Sequence, residues 1–343
     1  MAKTNPGHFF EDYSVGQVIA HAVPRTVSGG ERALYHALYP ARHALYSSDE
    51  FARSCGLPNA PLDDWAAFHL VFGKTVPDIS LNAVANLGYG EGRWLLPVYV
   101  GDTLRAVSEV IGLKENSSGK TGVVWVRTRG INQRDEVVID YVRWVMVRKN
   151  DPNAPAPQTV IPELTKVLDV GDLVIPKGLD FTNYDFALAG EAHRWGDYAI
   201  GEQIDHVDGV TIEEAEHMMA TRLWQNTAKV HFDTSAGPGG TRLIYGGHVI
   251  SMARALSFNG LANAQMVVGL NGGAHANPCR AGLTVRAWSQ VLDKAETSAP
   301  GVGAIRLRLV ATSGGDAFRL KGEDGKYLSD VLLDLDYWAL MPT

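Results

Sequence analysis

The segment Asn226-Thr227-Ala228-Lys229-Val230-His231-Phe232-Asp233 sets a carboxamide, an imidazole and a carboxylate close together in the chain. Histidine has an unperturbed pKa of about 6.5, so it can take or give a proton near neutral pH. Asparagine exchanges no proton, but its amide can hold a water or orient an imidazole. Asp233 reads either as a second acid–base group or as a cap or turn residue. His69 and His248 fall on or beside apolar, helix-like runs, where a core histidine with one hydrogen-bond partner is expected. His206 and His231 are too isolated to argue for a metal, and no metal ligand is assigned. Cys55 and Cys279 are the two cysteines, far apart and in no metal-type spacing. That excludes a disulfide framework and a cysteine zinc site, and it fits a reducing cytoplasm. The glycine-rich patches Ala236-Gly237-Pro238-Gly239-Gly240 and Asn271-Gly272-Gly273 match neither dinucleotide nor phosphate-loop spacing. No serine nucleophile elbow is visible.

The elements that must position these groups come from a duplicated pattern. A slide of 185 positions brings Asp12-Tyr13 onto Asp197-Tyr198, Ile19 onto Ile204, His21 onto His206 and Thr26 onto Thr211. Further along, a slide of 181 brings Pro97 onto Pro278, Thr103 onto Thr284, Arg105-Ala106 onto Arg286-Ala287 and Ser108 onto Ser289. Order and drift are those of a diverged internal duplication. Between the copies, Asp151-Pro152-Asn153-Ala154-Pro155-Ala156-Pro157 favours an extended, solvated linker. The expected organisation is a domain over 1–150, a linker over 151–186 and a second domain over 187–343. In each half a strand or turn region (Phe10 to Pro24; Trp195 to Val207) precedes the helical part, with a helical run from Glu213 to Asn226 in the second half. An apolar helix follows, near Asp63 to Lys74 and near Gly247 to Leu256. Val- and Ile-rich strands then close the half, such as Val123 to Thr128 and Val137 to Val147 around a turn at Asn132-Gln133-Arg134-Asp135. One apolar helix followed by antiparallel strands predicts an α+β packing.

The chain has 343 residues, 45% hydrophobic and 20% charged, with a net charge of −7. This excludes compositional disorder. It also disfavours an electrostatic nucleic-acid binder, since no basic stripe is present. No run approaches the roughly 18 apolar residues of a membrane helix. The opening Met-Ala-Lys-Thr-Asn-Pro-Gly-His has no apolar signal region, and a cytoplasmic location is expected.

Taken together and in this order, the segments resemble the MaoC-like hydratases of the hotdog fold. At closer range the first half is similar to the mesaconyl-CoA hydratase (β-methylmalyl-CoA dehydratase) branch of that family. The resemblance rests on Ser47 to Arg53, on Phe68 to Tyr89 (Phe-His-Leu-Val-Phe-Gly-Lys-Thr-Val-Pro-Asp-Ile-Ser), on Leu96 to Leu104 and on Val142 to Lys149. It implies a double hotdog, two antiparallel sheets each wrapped around a central helix. It also implies a hydro-lyase interconverting β-methylmalyl-CoA and mesaconyl-CoA with no cofactor beyond the CoA thioester, and a homodimer as assembly.

The family motif is Asp-x-Asn-Pro-x-His followed by x-Asp. Here Asn226 stands in the slot of the catalytic aspartate, Ala228-Lys229 replaces Asn-Pro, and His231 and Asp233 are retained. The corresponding first-half positions are Ala41, Tyr46 and Ser48. The resemblance therefore implies His231 as base or acid, Asn226 positioning water or the imidazole, and Asp233 as a relocated carboxylate or a turn residue. Thioester-oxygen donors are expected where loops enter the central helices, at Gly246-Gly247 or at Ala60, Pro61, Leu62 and Asp63. The acyl-CoA tunnel is expected along Ala83, Val84, Ala85 and Asn86 and at Trp94, Leu95 and Leu96. A free carboxylate on the substrate calls for an arginine; Arg42 is placed first, Arg242 second, with Arg222 as a further alternative. Two other readings stay open: a hotdog thioesterase driven by Asp49 or Asp63, and a non-catalytic acyl-CoA binding protein.

Overall fold

The computed structural model describes residues 3–343. Five strands come from the first half: β1 (Val18–Thr26), β2 (Ala83–Trp94), β3 (Thr103–Glu115), β4 (Thr121–Ile131) and β5 (Val137–Arg148). Five come from the second: β6 (Gln203–Thr211), β7 (Val267–His275), β8 (Thr284–Glu296), β9 (Val302–Thr312) and β10 (Val331–Pro342). All ten form one antiparallel sheet in the order β1-β3-β4-β5-β2-β7-β10-β9-β8-β6. The order reads as the same five-strand pattern run outward from a central seam. There β2 meets β7, with Tyr89 opposite Gly273 and Gly90 opposite Gly272.

The duplication is reproduced at the level of single hydrogen bonds. His21 Nε2 lies 2.8 Å from Ser108 Oγ, and His206 Nε2 lies 2.8 Å from Ser289 Oγ. The hydroxyls of Thr26 and Thr103 are 2.8 Å apart, as are those of Thr211 and Thr284. These residues tie the first strand of each half to the third, so the matched positions in the sequence carry the same pairing.

The α-helices, in chain order, are α1 (Gly29–Leu38), α2 (Ala44–Ser47), α3 (Asp49–Ser54), α4 (Asp64–Thr75), α5 (Phe186–Ala189), α6 (Glu214–Leu223), α7 (Lys229–Phe232), α8 (Gly246–Leu256) and the short α9 (Phe258–Leu261). The central helices are α4 and α8. Every residue of the largely apolar α4 is buried, its polar Asp64, His69 and Lys74 included. Asp63 starts α4 by accepting from the Trp65 N–H at 2.9 Å. Gly73 lets the helix touch the main chain of Trp224, whose carbonyl a Cβ would overlap. Hydrophobic residues of both halves pack into one core that includes Trp65, Phe68, Tyr89, Trp224, Val249 and Leu270.

Between the halves, Asp151 to Pro157 is exposed or half-exposed, and the later part of the segment is anchored to the domains. It has little regular structure, but Val160 bridges to Leu113, and Leu168, Leu179, Phe181 and Tyr184 are buried. Proline prevents helix there, whereas the apolar residues between the prolines still gain by covering the sheet.

Candidate active site

A cavity of about 360 Å³ opens where the two halves meet. One wall comes from the second half: Asn226 to His231, Leu243 to Gly246, and His275 to Cys279 at the end of β7. The other comes from the first half: Phe72 of α4, Ser80 and Leu81, Ala83 to Asn86 and Tyr89 of β2, and Arg143 and Val145 of β5.

His231 sits on α7, a single turn tied to the irregular segment that precedes α8. The Leu243 carbonyl accepts a hydrogen bond from His231 Nδ1 at 2.8 Å, and Leu243 N–H donates to the Val230 carbonyl at 2.9 Å. Because a carbonyl can only accept, Nδ1 must carry the proton, and Nε2 keeps its lone pair. Burial holds the His231 pKa below the usual histidine value, partly opposed by the Leu243 bond. The imidazole is therefore neutral at pH 7 and available as a base. Asn226 is buried, and its Oδ1 accepts from the Ala228 N–H at 3.2 Å, which leaves the Nδ2 donors for other partners.

The entrance to α8 supplies the third group. This helix starts without a side-chain cap. Tyr245 N–H is taken by His217 Nε2 at 2.9 Å, so Gly246 and Gly247 carry the first unpaired N–H groups of the helix. Gly246 borders the cavity, and a Cβ there would overlap the His275 ring. Glycine is what keeps the amides accessible, and the helix dipole adds a partial positive charge at the same point.

Around this centre lies a shell of neutral histidines. Burial lowers His69 and His217 to about 3 and His248 and His275 to about 4. Tyr39 hydroxyl meets His248 Nδ1 at 2.8 Å, Ser251 Oγ meets His69 Nε2 at 2.8 Å, and Tyr89 hydroxyl meets His275 Nε2 at 3.0 Å. These contacts fix the rings that back His231 and Gly246. Among the described residues, no aspartate or glutamate lines the cavity.

At the corresponding place in the first half, among the described residues, there is only a small crevice. Tyr46 occupies on α2 the position His231 has on α7, and Asp64 begins α4 where Gly246 begins α8. Tyr46 hydroxyl bonds to the Asp64 carboxyl, which also accepts from Val267 N–H at 2.6 Å. Burial, reinforced by Asp63, raises Asp64 to about 8. The crevice left beside Asp64, Trp94 and Val267 is about 10 Å³, room for one water at most. A carboxyl group thus fills the space that glycine leaves open in the other half.

Of the residues expected from the sequence, Asn226, His231, Ala83, Val84, Ala85, Asn86 and Gly246 meet in the cavity. Others are placed elsewhere. Asp233 is exposed and accepts from Ser235 N–H at 2.9 Å, which makes it a turn residue rather than a catalytic carboxylate. Ala60, Pro61, Leu62 and Asp63 are buried before α4, where the Asp63 cap closes the helix start to a ligand. Trp94, Leu95 and Leu96 border only the small crevice, with Trp94 Nε1 donating to the Asp64 carbonyl at 2.9 Å. Gly247 is buried behind the Tyr245 ring. Arg42 is exposed over the Phe258 ring at 4.4 Å, in a separate surface cleft. Arg242 pairs with Glu214 at 2.9 Å, and Arg222 is exposed on α6. Asp49 is exposed and paired with Arg32 at 2.9 Å, so neither carboxylate named for hydrolysis reaches the cavity.

Tyr89, His275 and above all Arg143 line the cavity without having been singled out from the sequence. Arg143 shares a strand face with the buried Tyr141 and Val145, and unlike Asp140 and Arg148 on the same strand it is wholly buried.

A family model described as mesaconyl-CoA hydratase matches residues 1–321. The chain is 76% identical over 341 residues to the mesaconyl-CoA hydratase of Cereibacter sphaeroides, covering 99% of each chain. It is 56% identical over 349 residues to the β-methylmalyl-CoA dehydratase of Chloroflexus aurantiacus, again covering 99% of each. Among solved structures, a MaoC domain protein described as a putative dehydratase, also from Chloroflexus aurantiacus, superposes with a TM-score of 0.97 at 56% identity, over 100% of this chain and 99% of the other. A conserved double-hotdog protein of Mycobacterium tuberculosis superposes with a TM-score of 0.75 at 24% identity, over 98% of both chains, a likeness of fold alone.

Proposed function

The chain belongs to the mesaconyl-CoA hydratase family, and from that premise we propose that it interconverts β-methylmalyl-CoA and mesaconyl-CoA at the cavity between its halves. The observation that carries the proposal is the convergence of a free His231 Nε2, the Asn226 amide and the uncapped start of α8 on one cavity. In the dehydration direction His231 Nε2 removes the proton next to the thioester carbonyl. The C–H electron pair moves toward the thioester oxygen, and the Gly246 N–H at the start of α8 holds the charge that develops there. The hydroxyl on the neighbouring carbon then leaves as water, taking the proton from the imidazolium, while Asn226 Nδ2 holds that oxygen. Hydration is the reverse. One imidazole serves both proton steps, which fits a cavity lined by no carboxylate. The chemistry so written uses side chains and main-chain amides alone, with the CoA thioester as substrate and no further cofactor.

A time course with mesaconyl-C1-CoA, followed by liquid chromatography and mass spectrometry, tests this. Wild type is expected to add one water. His231→Ala is expected to lose about 10²–10⁴-fold in kcat with little change in KM, the range for a general acid–base group. An undiminished variant would remove His231 from the mechanism, and release of free CoA would replace hydration with hydrolysis. We further propose a cytoplasmic homodimer: the two free, buried cysteines fit a reducing compartment. Light scattering on the purified protein reads the assembly directly.

A further inference from the structure

Arg143 is wholly buried and lines the cavity. Its guanidinium lies 4.2 Å above the Phe72 ring and donates to Thr75 Oγ1 at 2.8 Å, with Ser80 Oγ at 3.5 Å. These partners are neutral hydroxyls. No carboxylate among the described residues pairs with it, and its Nε has no partner in the protein. The contrast with the other deeply buried arginine is instructive. Arg254 is held by the Ala264 and Gln265 carbonyls and by Ser257, and it does not line the cavity. A buried cation without an anion is costly unless an anion arrives from outside.

Asn86 supplies a second, independent sign. Both polar atoms of its side chain are buried without a partner, and it too lines the cavity. It faces the same side of the sheet as Arg143, because Tyr89 pairs with Arg143 and Asn86 with Val145 across β2 and β5. Arg143, Asn86 and Ser80 therefore place polar groups from the first half in the same cavity that His231 and Gly246 line from the second. A planar guanidinium fork beside an amide matches a carboxylate.

We propose that Arg143, assisted by Asn86 and Ser80, is the specificity-determining residue that receives the free carboxylate of the acyl chain and so selects diacid monothioesters over plain enoyl-CoA. The inference rests on the acyl-CoA hydratase reading for its substrate, and it adds the group that recognises the far end of the acyl chain. In mesaconyl-CoA that carboxylate is attached to the carbon that receives the hydroxyl. Holding it would also hold the reacting carbon in place against His231.

The test compares mesaconyl-C1-CoA with tiglyl-CoA, which carries a methyl group where the former carries the carboxylate. Wild type is expected to favour the diacid on the order of 100-fold in kcat/KM. Arg143→Gln should lose about that factor with mesaconyl-C1-CoA, largely through KM, and change less than about threefold with tiglyl-CoA. Arg143→Lys, which keeps the charge without the fork, should fall between. A parallel loss on both substrates would make Arg143 a structural residue and overturn the proposal. So would a wild type that hydrates both thioesters equally well. Calorimetry on wild type with the saturated pair, methylsuccinyl-CoA and 2-methylbutyryl-CoA, needs neither turnover nor a folded variant. Tighter binding of the diacid without hydration would sink the hydratase reading and leave the carboxylate site standing; equal binding would sink the site.

Discussion

His231 is useful as a base only while Nε2 is unprotonated, and its surroundings are arranged to keep it so. Its Nδ1 proton is committed to the Leu243 carbonyl, and burial disfavours the imidazolium. The pH dependence follows with a definite sign. Protonation removes the base, so kcat/KM is expected to be flat around pH 7 and to fall on the acid side, with its midpoint below the ordinary histidine value of about 6.5. Initial rates at subsaturating mesaconyl-C1-CoA between pH 5 and 8 measure it. A midpoint above 7 would mean that some other group titrates. At this scale the sequence showed the histidine and its asparagine neighbour, because both lie in one short loop. It did not show Arg143, since a strand residue's direction depends on register, and register is a property of the paired sheet.

Helices α4 and α8 are related by the duplication, yet their first turns do opposite things. Asp63 and Asp64 open α4, one capping the helix and the other filling the space in front of it. Gly246 and Gly247 open α8 without a side-chain cap, and Gly246 borders the cavity. The prediction for this element is that Gly246→Ala lowers kcat by at least about tenfold, because the added methyl forces either the His275 ring or the helix start to move. The control is Gly196→Ala, at a glycine whose Cβ would meet nothing within 4 Å; it should leave rates unchanged. Stopped-time assays of both proteins decide it, with thermal melts to show that each is folded. An active Gly246→Ala would argue that the thioester oxygen is held elsewhere.

For the molecule as a whole, the buried histidines connect function to stability. His69, His206, His217, His248 and His275 are held at about 3 to 4, against about 6.5 in an unfolded chain. Between those limits the unfolded chain binds more protons than the native one. Stability therefore rises with pH across that window, and it is lost progressively as pH falls from about 6.5 toward about 4. Urea unfolding at pH 7, 6 and 5 should show a midpoint that drops at each step; an unchanged midpoint would mean that these rings are not buried neutral. The seam between β2 and β7 leads to a second expectation at this scale. Residues 1–150 and 187–343 expressed separately should each lack hydration activity, because the cavity takes one wall from each. Activity in either half alone, in the same chromatographic assay, would contradict a shared site.

What the sequence determined by itself was the repeating local pattern. The match of His21 to His206 and of Ser108 to Ser289, and the two apolar helices, were all legible, because periodicity and matched residues encode strand and helix within each copy; the bond from each histidine to its serine came with the fold. The segment from Asn226 to His231 was legible for the same local reason. Tertiary structure alone decided which copy stays open and what completes it. Asp233, Arg42 and Trp94 had suitable chemistry but point away from the cavity or lie outside it, whereas Arg143 and Asn86 reach it from another part of the chain. The first copy's site is closed by Asp64, Tyr46 and Val267, groups distant in sequence. Such contacts depend on where the sheet's seam brings the two halves together, and no spacing along a single chain encodes that distance.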